Sequence, residues 1–285
     1  MTSSFWRAAA LVLALATIVG CNSEPVYLPM PNEAQVAELR GGDAGGEEAG
    51  GEAAPVGEGW GTLKGQFVLA GGAPSLADVS TGGKDAPTCP ASVSDDSLVV
   101  DSATGGIANV VIFLRNTSRI HPDMTEPSEE DLLFDQEGCV FLSHVTAIRV
   151  GRQMKILNSD PISHNTNISP PGDTAINPLL AGKAEAFYTF KRRQNAPVPV
   201  SCNIHPWMKA FVIPRDDPYI AVTKPDGTFE IANVPAGESL EWQVWHERSG
   251  NLAAQSGWRN GRFEIEVGAD SVEDLGKIEV SGDLF

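Results

Sequence analysis

The stretch "SCNIHPWMKAFV", residues 201–212, sets a thiol, an imidazole and a thioether at Cys202, His205 and Met208, just before an apolar run. A packed core accepts a methionine or a valine, but it gains nothing from a thiol and an imidazole three residues apart. Ahead of the stretch, "APVPV" (196–200) is extended, because each proline disfavours helix at itself and at the residue before it. Behind it, "KAFVIP" (209–214) reads as a strand. The three side chains therefore share one tight loop between two strands, where they can converge without helical spacing.

Outward from this loop the chain keeps reading as strand. Short apolar runs recur at "TLKGQFVL" (62–69), "IANVVIFL" (107–114), "VTAIRV" (145–150), "QMKILN" (153–158), "TFEIANV" (228–234) and "LEWQVWH" (240–246). Some alternate strictly, as Phe263, Ile265 and Val267 do against Arg262, Glu264 and Glu266. Turn signals separate them at Gly105–Gly106, Asp226–Gly227 and "PAG" (235–237), and helical periodicity is nearly absent after residue 60. Many short strands with Gly and Pro between them predict an all-β, antiparallel sandwich. The long segments 71–104 and 115–138 read as exposed insertions.

A second imidazole is at hand. "LNSDPISHNTNIS" (157–169) brings His164 directly after a strand, behind a turn at Asp160 and Pro161. Two imidazoles, a thiolate and a weak axial thioether favour copper in an electron-transfer site, since thiolate softness suits Cu(I) and imidazole suits Cu(II).

On these residues the chain resembles the cupredoxins. The C-x2-H-x2-M spacing from Cys202 to Met208 is most similar to that of the amicyanins. "SHN" (163–165) is similar to the upstream ligand motif of the plastocyanin and amicyanin group, where an Asn follows the first His. The resemblance covers about residues 139–214 and implies a Greek-key β-sandwich. It implies one mononuclear copper ion held by His164, Cys202, His205 and Met208, with Asn165 tying the two ligand loops together. It further implies one-electron transfer to a redox partner protein rather than catalysis, through an apolar patch of Pro206 and Trp207 around the exposed ring edge of His205.

Downstream, "PDGTFEIANVPAG" (225–237) followed by "LEWQVWHE" looks like a carboxypeptidase regulatory, transthyretin-like β module. The expected limits are then a copper-binding domain at 60–215 and a transthyretin-like segment at 216–285. Two rival functions use the same residues: copper sequestration or delivery, and a non-redox surface-binding module with a vestigial site. His144 and His246 lie in strand-like runs and read as hydrogen-bonded core or edge residues, while His121 sits in an acidic loop and reads as solvated. No C-x3-C surrounds Cys202, which speaks against a dinuclear copper centre, and no C-x-x-C-H occurs for haem.

The N-terminal region has a different character. Arg7 precedes the apolar run Ala8 to Val19, too short to span a bilayer as a stable helix, and "TIVGC" resembles a bacterial lipobox ending at Cys21. Residues 1–20 are expected to be a lipoprotein signal peptide, with Cys21 lipidated and the protein tethered to a membrane in the periplasm or cell envelope. Residues 21–59 are acidic and rich in Gly and Ala, a linker whose root-mean-square reach is about 30–37 Å. The net charge of −17 argues against nucleic acid and against direct contact with anionic headgroups. Of four cysteines, Cys21 goes to lipid, and export to an oxidising compartment makes Cys89–Cys139 the simplest disulfide, which leaves Cys202 for metal.

Overall fold

Alternating burial along the strands builds two sandwiches from one chain. The computed structural model describes residues 57–285, so the expected leader, Cys21 and most of the expected linker lie outside the described residues.

Residues 132–215 form the first sandwich. One sheet runs in the order Asn167–Ile168, Val198–Ser201, Lys209–Arg215, Val145–Arg149. The other runs Glu185–Thr189, Gln153–Asn158, Leu132–Glu137, Val140–Phe141. Period-two alternation turns Met154 and Ile156 inward from one sheet and Val198 and Val200 inward from the other. They pack with Phe134, Phe190 and Val212 in a single core. Each such side chain contributes about 1.5–3 kcal/mol when fully buried, so this core fixes the rims where the loops emerge.

The fold is all-β, as expected, but its sheets are mixed. Lys209–Arg215 runs parallel to Val145–Arg149, Leu132–Glu137 to Gln153–Asn158, and Trp60–Ala70 to Val272–Ser281. Parallel neighbours need a long crossover, and in the first sandwich strands of the facing sheet supply it in place of a helix. Alternation reports which face of a strand is buried and says nothing of a neighbour's direction, which is why the sequence suggested antiparallel pairing throughout.

The second sandwich uses both ends of the described chain. Trp60–Ala70 lies between Thr228–Pro235 and Val272–Ser281. Facing it, Val111–Leu114 lies between Ile220–Val222 and Ser239–His246, which also pairs with Arg262–Glu266. Leu63, Phe67, Ile112, Trp242 and Ile278 fill the space between the two sheets. Close backbone approach at one corner requires glycine: a Cβ on Gly106 would meet the Asp226 carbonyl oxygen at 1.9 Å, and one on Gly227 the Phe67 oxygen at 2.2 Å.

The expected boundary at 215/216 does not follow the sheets. Trp60–Ala70 and Val111–Leu114 belong with the C-terminal strands, because residues 216–285 alone cannot cover the apolar faces that Leu63, Phe67 and Ile112 complete. The chain leaves this sandwich after Leu114, builds the first one, and returns at Ile220, whose strand pairs with Val111–Leu114. The first sandwich is thus an insertion between two paired strands, a point where chain ends lie close together.

Candidate metal centre

The ligand loops leave the first sandwich at one rim. Ser201 pairs with Lys209, so residues 202–208 are the loop of a hairpin. Two backbone bonds tighten it: Cys202 N–H donates to Met208 O at 3.2 Å, and Met208 N–H to His205 O at 2.9 Å. Beside it, Asn158 closes the turn ahead of His164 by donating from Nδ2 to the carbonyls of Ile162, Leu180 and Ala181. The short strand His164–Asn165 then pairs with Leu179–Leu180. These two loops bring His164, Cys202 and His205 together, with one ligand atom from each within 4.8 Å of the others. His164 and His205 are fully buried, and Cys202 and Met208 are each 1% exposed.

Asn165 spans both loops. Its Oδ1 accepts from the N–H of Asn203 at 2.8 Å and of Ile204 at 3.3 Å, and lies 3.5 Å from Cys202 Sγ. Its Nδ2 donates to Asn177 Oδ1 at 2.6 Å, which fixes the amide's orientation.

Both imidazoles are held from outside by carboxylates. Nε2 of His164 lies 2.8 Å from Asp160 Oδ2, and Nε2 of His205 lies 2.8 Å from Asp85 Oδ2. An ionised carboxylate only accepts, so each Nε2 donates, and in a neutral ring the Nδ1 is then the bare nitrogen. Those two nitrogens face each other at 2.8 Å, with Cys202 Sγ 3.8 Å from that of His205. Two lone pairs in such contact repel unless something electron-poor lies between them. A proton is a poor candidate at His164, because burial pushes its pKa below the ordinary imidazole range, against the pull of Asp160. A metal ion uses both lone pairs and needs neutral imidazole. The donor set and its carboxylate supports therefore fit a metal ion, in the arrangement that commonly orients metal-binding histidines.

Asp160 is anchored in turn. Burial opposes its ionisation, but bonds from the Cys139 and Gly138 N–H groups, each 2.8 Å, and from His164 outweigh that and hold its carboxyl below the usual range. Cys139 lies close to Asp160 and His164. Its sulfur is bonded to Cys89 with a Cα–Cα distance of 5.4 Å, so it is not a ligand. Cys202 is the free cysteine among the described residues.

The ring edge of His205 differs from the expectation. It is covered by Asp85, not exposed, and Pro206 and Trp207 line a cavity of about 870 Å³ in place of a flat apolar patch. His144 pairs with Glu247 at 2.5 Å. His246 is buried, which pushes it down to about 4. His121 caps a 3₁₀ turn and packs edge-on to Trp60. None of the three reaches the centre. Sequence reasoning placed Asp160 in a turn but missed its hold on His164, which the i, i+4 spacing could have suggested. It gave no sign of Asp85, 120 residues from its partner.

An all-β sandwich carrying a buried pair of histidines, a thiol and a thioether defines the class to which the protein is to be compared. No family model matches the chain, and no curated protein does. Among solved structures it is similar to the copper-containing nitrite reductase NirK from Thermus scotoductus SA-01, with 18% identity over 35% of this chain and a TM-score of 0.29. It spans 28% of that enzyme's chain. It is also similar to a reduced Cu(I) amicyanin variant at pH 4, with 17% identity, 36% of this chain, 98% of that one and a TM-score of 0.28. An oxidised amicyanin variant has 16% identity over the same shares, also at 0.28.

Proposed function

We propose that this is a cupredoxin-like mononuclear copper protein that carries single electrons, exported and anchored by lipid on Cys21. One observation carries the site: two buried Nδ1 atoms face each other at 2.8 Å beside a free thiol, each ring held from behind by a carboxylate. Bound copper would supply a one-electron couple. His164, Cys202 and His205 would hold it, with the Met208 thioether as a weaker fourth donor, a set that suits both oxidation states.

Burial favours electron carriage over delivery. Handing over an ion requires a ligand that an acceptor can reach, and all four are buried. An electron needs no such contact. The linker expected at 21–59 would let the domain range from the membrane toward a redox partner protein.

The test is a visible spectrum of the purified protein after Cu(II) loading. A strong band at about 600 nm is expected from thiolate-to-copper charge transfer, and Cys202→Ser should abolish it. A colourless wild-type protein, or a band that survives in the Ser variant, defeats the assignment.

A further inference from the structure

The segment that reads as an exposed insertion at 71–104 reaches the centre. Val79–Ser80 and Ser92–Val93 pair as a short hairpin. Thr81 closes its base, donating from Oγ1 to the carbonyl of Pro90 at 2.6 Å. The tip carries Asp85, whose φ of 56° lies in the left-handed region that few non-glycine residues occupy. Its carbonyl accepts from the N–H groups of Thr88 and Cys89 at 3.0 and 3.1 Å, which fixes that conformation.

Three ties hold this tip against the 202–208 loop. Asp85 meets Nε2 of His205, and Lys84 Nζ donates to the Ile204 carbonyl at 2.5 Å. Cys89 is bonded to Cys139, whose carbonyl accepts from Trp207 Nε1 at 2.9 Å. The result is local. His205 is fully buried while its neighbour Pro206 is exposed, and the Asp85 side chain is itself 41% exposed. The imidazole edge lies beneath one carboxylate.

We propose that Asp85 is a positioning residue of the metal centre: it fixes His205 with Nδ1 inward, seals the ring edge from water, and biases the site toward Cu(II). This rests on the copper reading above. A carboxylate that accepts the Nε2 proton makes the imidazole a stronger donor, and its negative charge favours the more highly charged ion. Losing such a partner weakens metal binding by about 10–100-fold. If that loss falls on Cu(II) and spares Cu(I), the potential rises by about 60–120 mV, at 59 mV per tenfold for one electron.

The experiment compares the wild-type protein with Asp85→Ala and Asp85→Asn. Spectroelectrochemistry gives the potential of the copper-loaded forms, and ¹⁵N NMR of the copper-free forms follows exchange of the His205 Nε2 proton. The Ala variant should show the higher potential and lose the slowly exchanging proton. The Asn variant keeps an acceptor oxygen without the charge, so it should keep the proton and take an intermediate potential. An Ala potential equal to wild type overturns the proposal, as does a wild-type Nε2 proton that exchanges freely. A wild-type protein that takes up no copper defeats the copper reading instead. It removes the claimed bias toward Cu(II), while the NMR comparison separately decides whether Asp85 holds the ring.

Discussion

Removing the Asp160 carboxylate should damage both the fold and the proposed metal centre. Three donors converge on it at 2.8 Å each: the N–H groups of Gly138 and Cys139, and Nε2 of His164. The residue is 4% exposed, so water cannot readily replace a lost partner. Hydrogen bonds to a charged group net about 1.5–3 kcal/mol each, and three would nominally give about 4.5–9 kcal/mol. Bonds that share one carboxylate are not additive, and breaking a buried charge pair costs about 3–5 kcal/mol, which is the loss expected for Asp160→Ala. Asp160→Asn keeps one carbonyl oxygen but turns an NH₂ toward a donor, and about 2–3 kcal/mol is expected.

Urea unfolding of the copper-free protein measures this as a fall in midpoint at unchanged slope. The pH dependence has a definite sign. Because the folded carboxyl is held below its usual range, its stabilisation is full above the unfolded pKa of about 3.9 and is lost as pH falls through the lower folded value. The gap between wild type and Asn variant should therefore be widest near neutrality and close in acid. Copper affinity should fall about 10–100-fold alongside, as His164 loses its orientation. An Asn variant within about 0.5 kcal/mol of wild type, with unchanged copper affinity, would show that the carboxylate supports neither.

Met208→Gln should keep copper and lower its potential, because an oxygen donor favours Cu(II), and voltammetry of the loaded variant checks this. The Cys89–Cys139 bridge spans a sequence separation of 50, for which the chain-entropy relation gives about 4 kcal/mol at 25 °C. The double Ser variant should lose about that much in urea, and thiol titration of the denatured, unreduced, copper-free mature protein should find one free thiol. Mass spectrometry of the mature N-terminus should find acyl chains on Cys21, whose burial contributes about 0.8 kcal/mol per methylene; an unmodified N-terminus downstream of Cys21 refutes the anchor.

What the sequence made legible was local. Cys202, His205 and Met208 declare a loop because prolines and an apolar run bracket them, and "SHN" points to the second loop because the chain turns just before it. Strand positions follow from alternation. Pairing between distant segments leaves no such mark. Trp60–Ala70 alternates much as any half-buried strand does, and only its partners, Thr228–Pro235 and Val272–Ser281, reveal which sandwich it completes. Asp85 stands in a loop whose composition reads as solvated, and its role exists only because the fold delivers that tip to His205.

The seam between the sandwiches shows how the insertion is tied at its base. Val111 and Phe113 face Val145 and Ile213 in a small apolar cluster between them. At its edge the buried Arg215 closes the return of the chain. Its guanidinium donates to the Leu114 carbonyl at 2.6 Å, to Asp217 at 2.7 Å and to the Gln194 carbonyl at 3.3 Å, and lies over the Phe113 ring. Leu114 ends the strand where the insertion begins, and Arg215 ends the strand that leads back from the 202–208 loop. One side chain thus joins the two crossing points, and removing it would leave Asp217 a buried charge without its partner. Cutting such a pair costs about 3–5 kcal/mol, enough to loosen the insertion at its base without touching any residue of the centre.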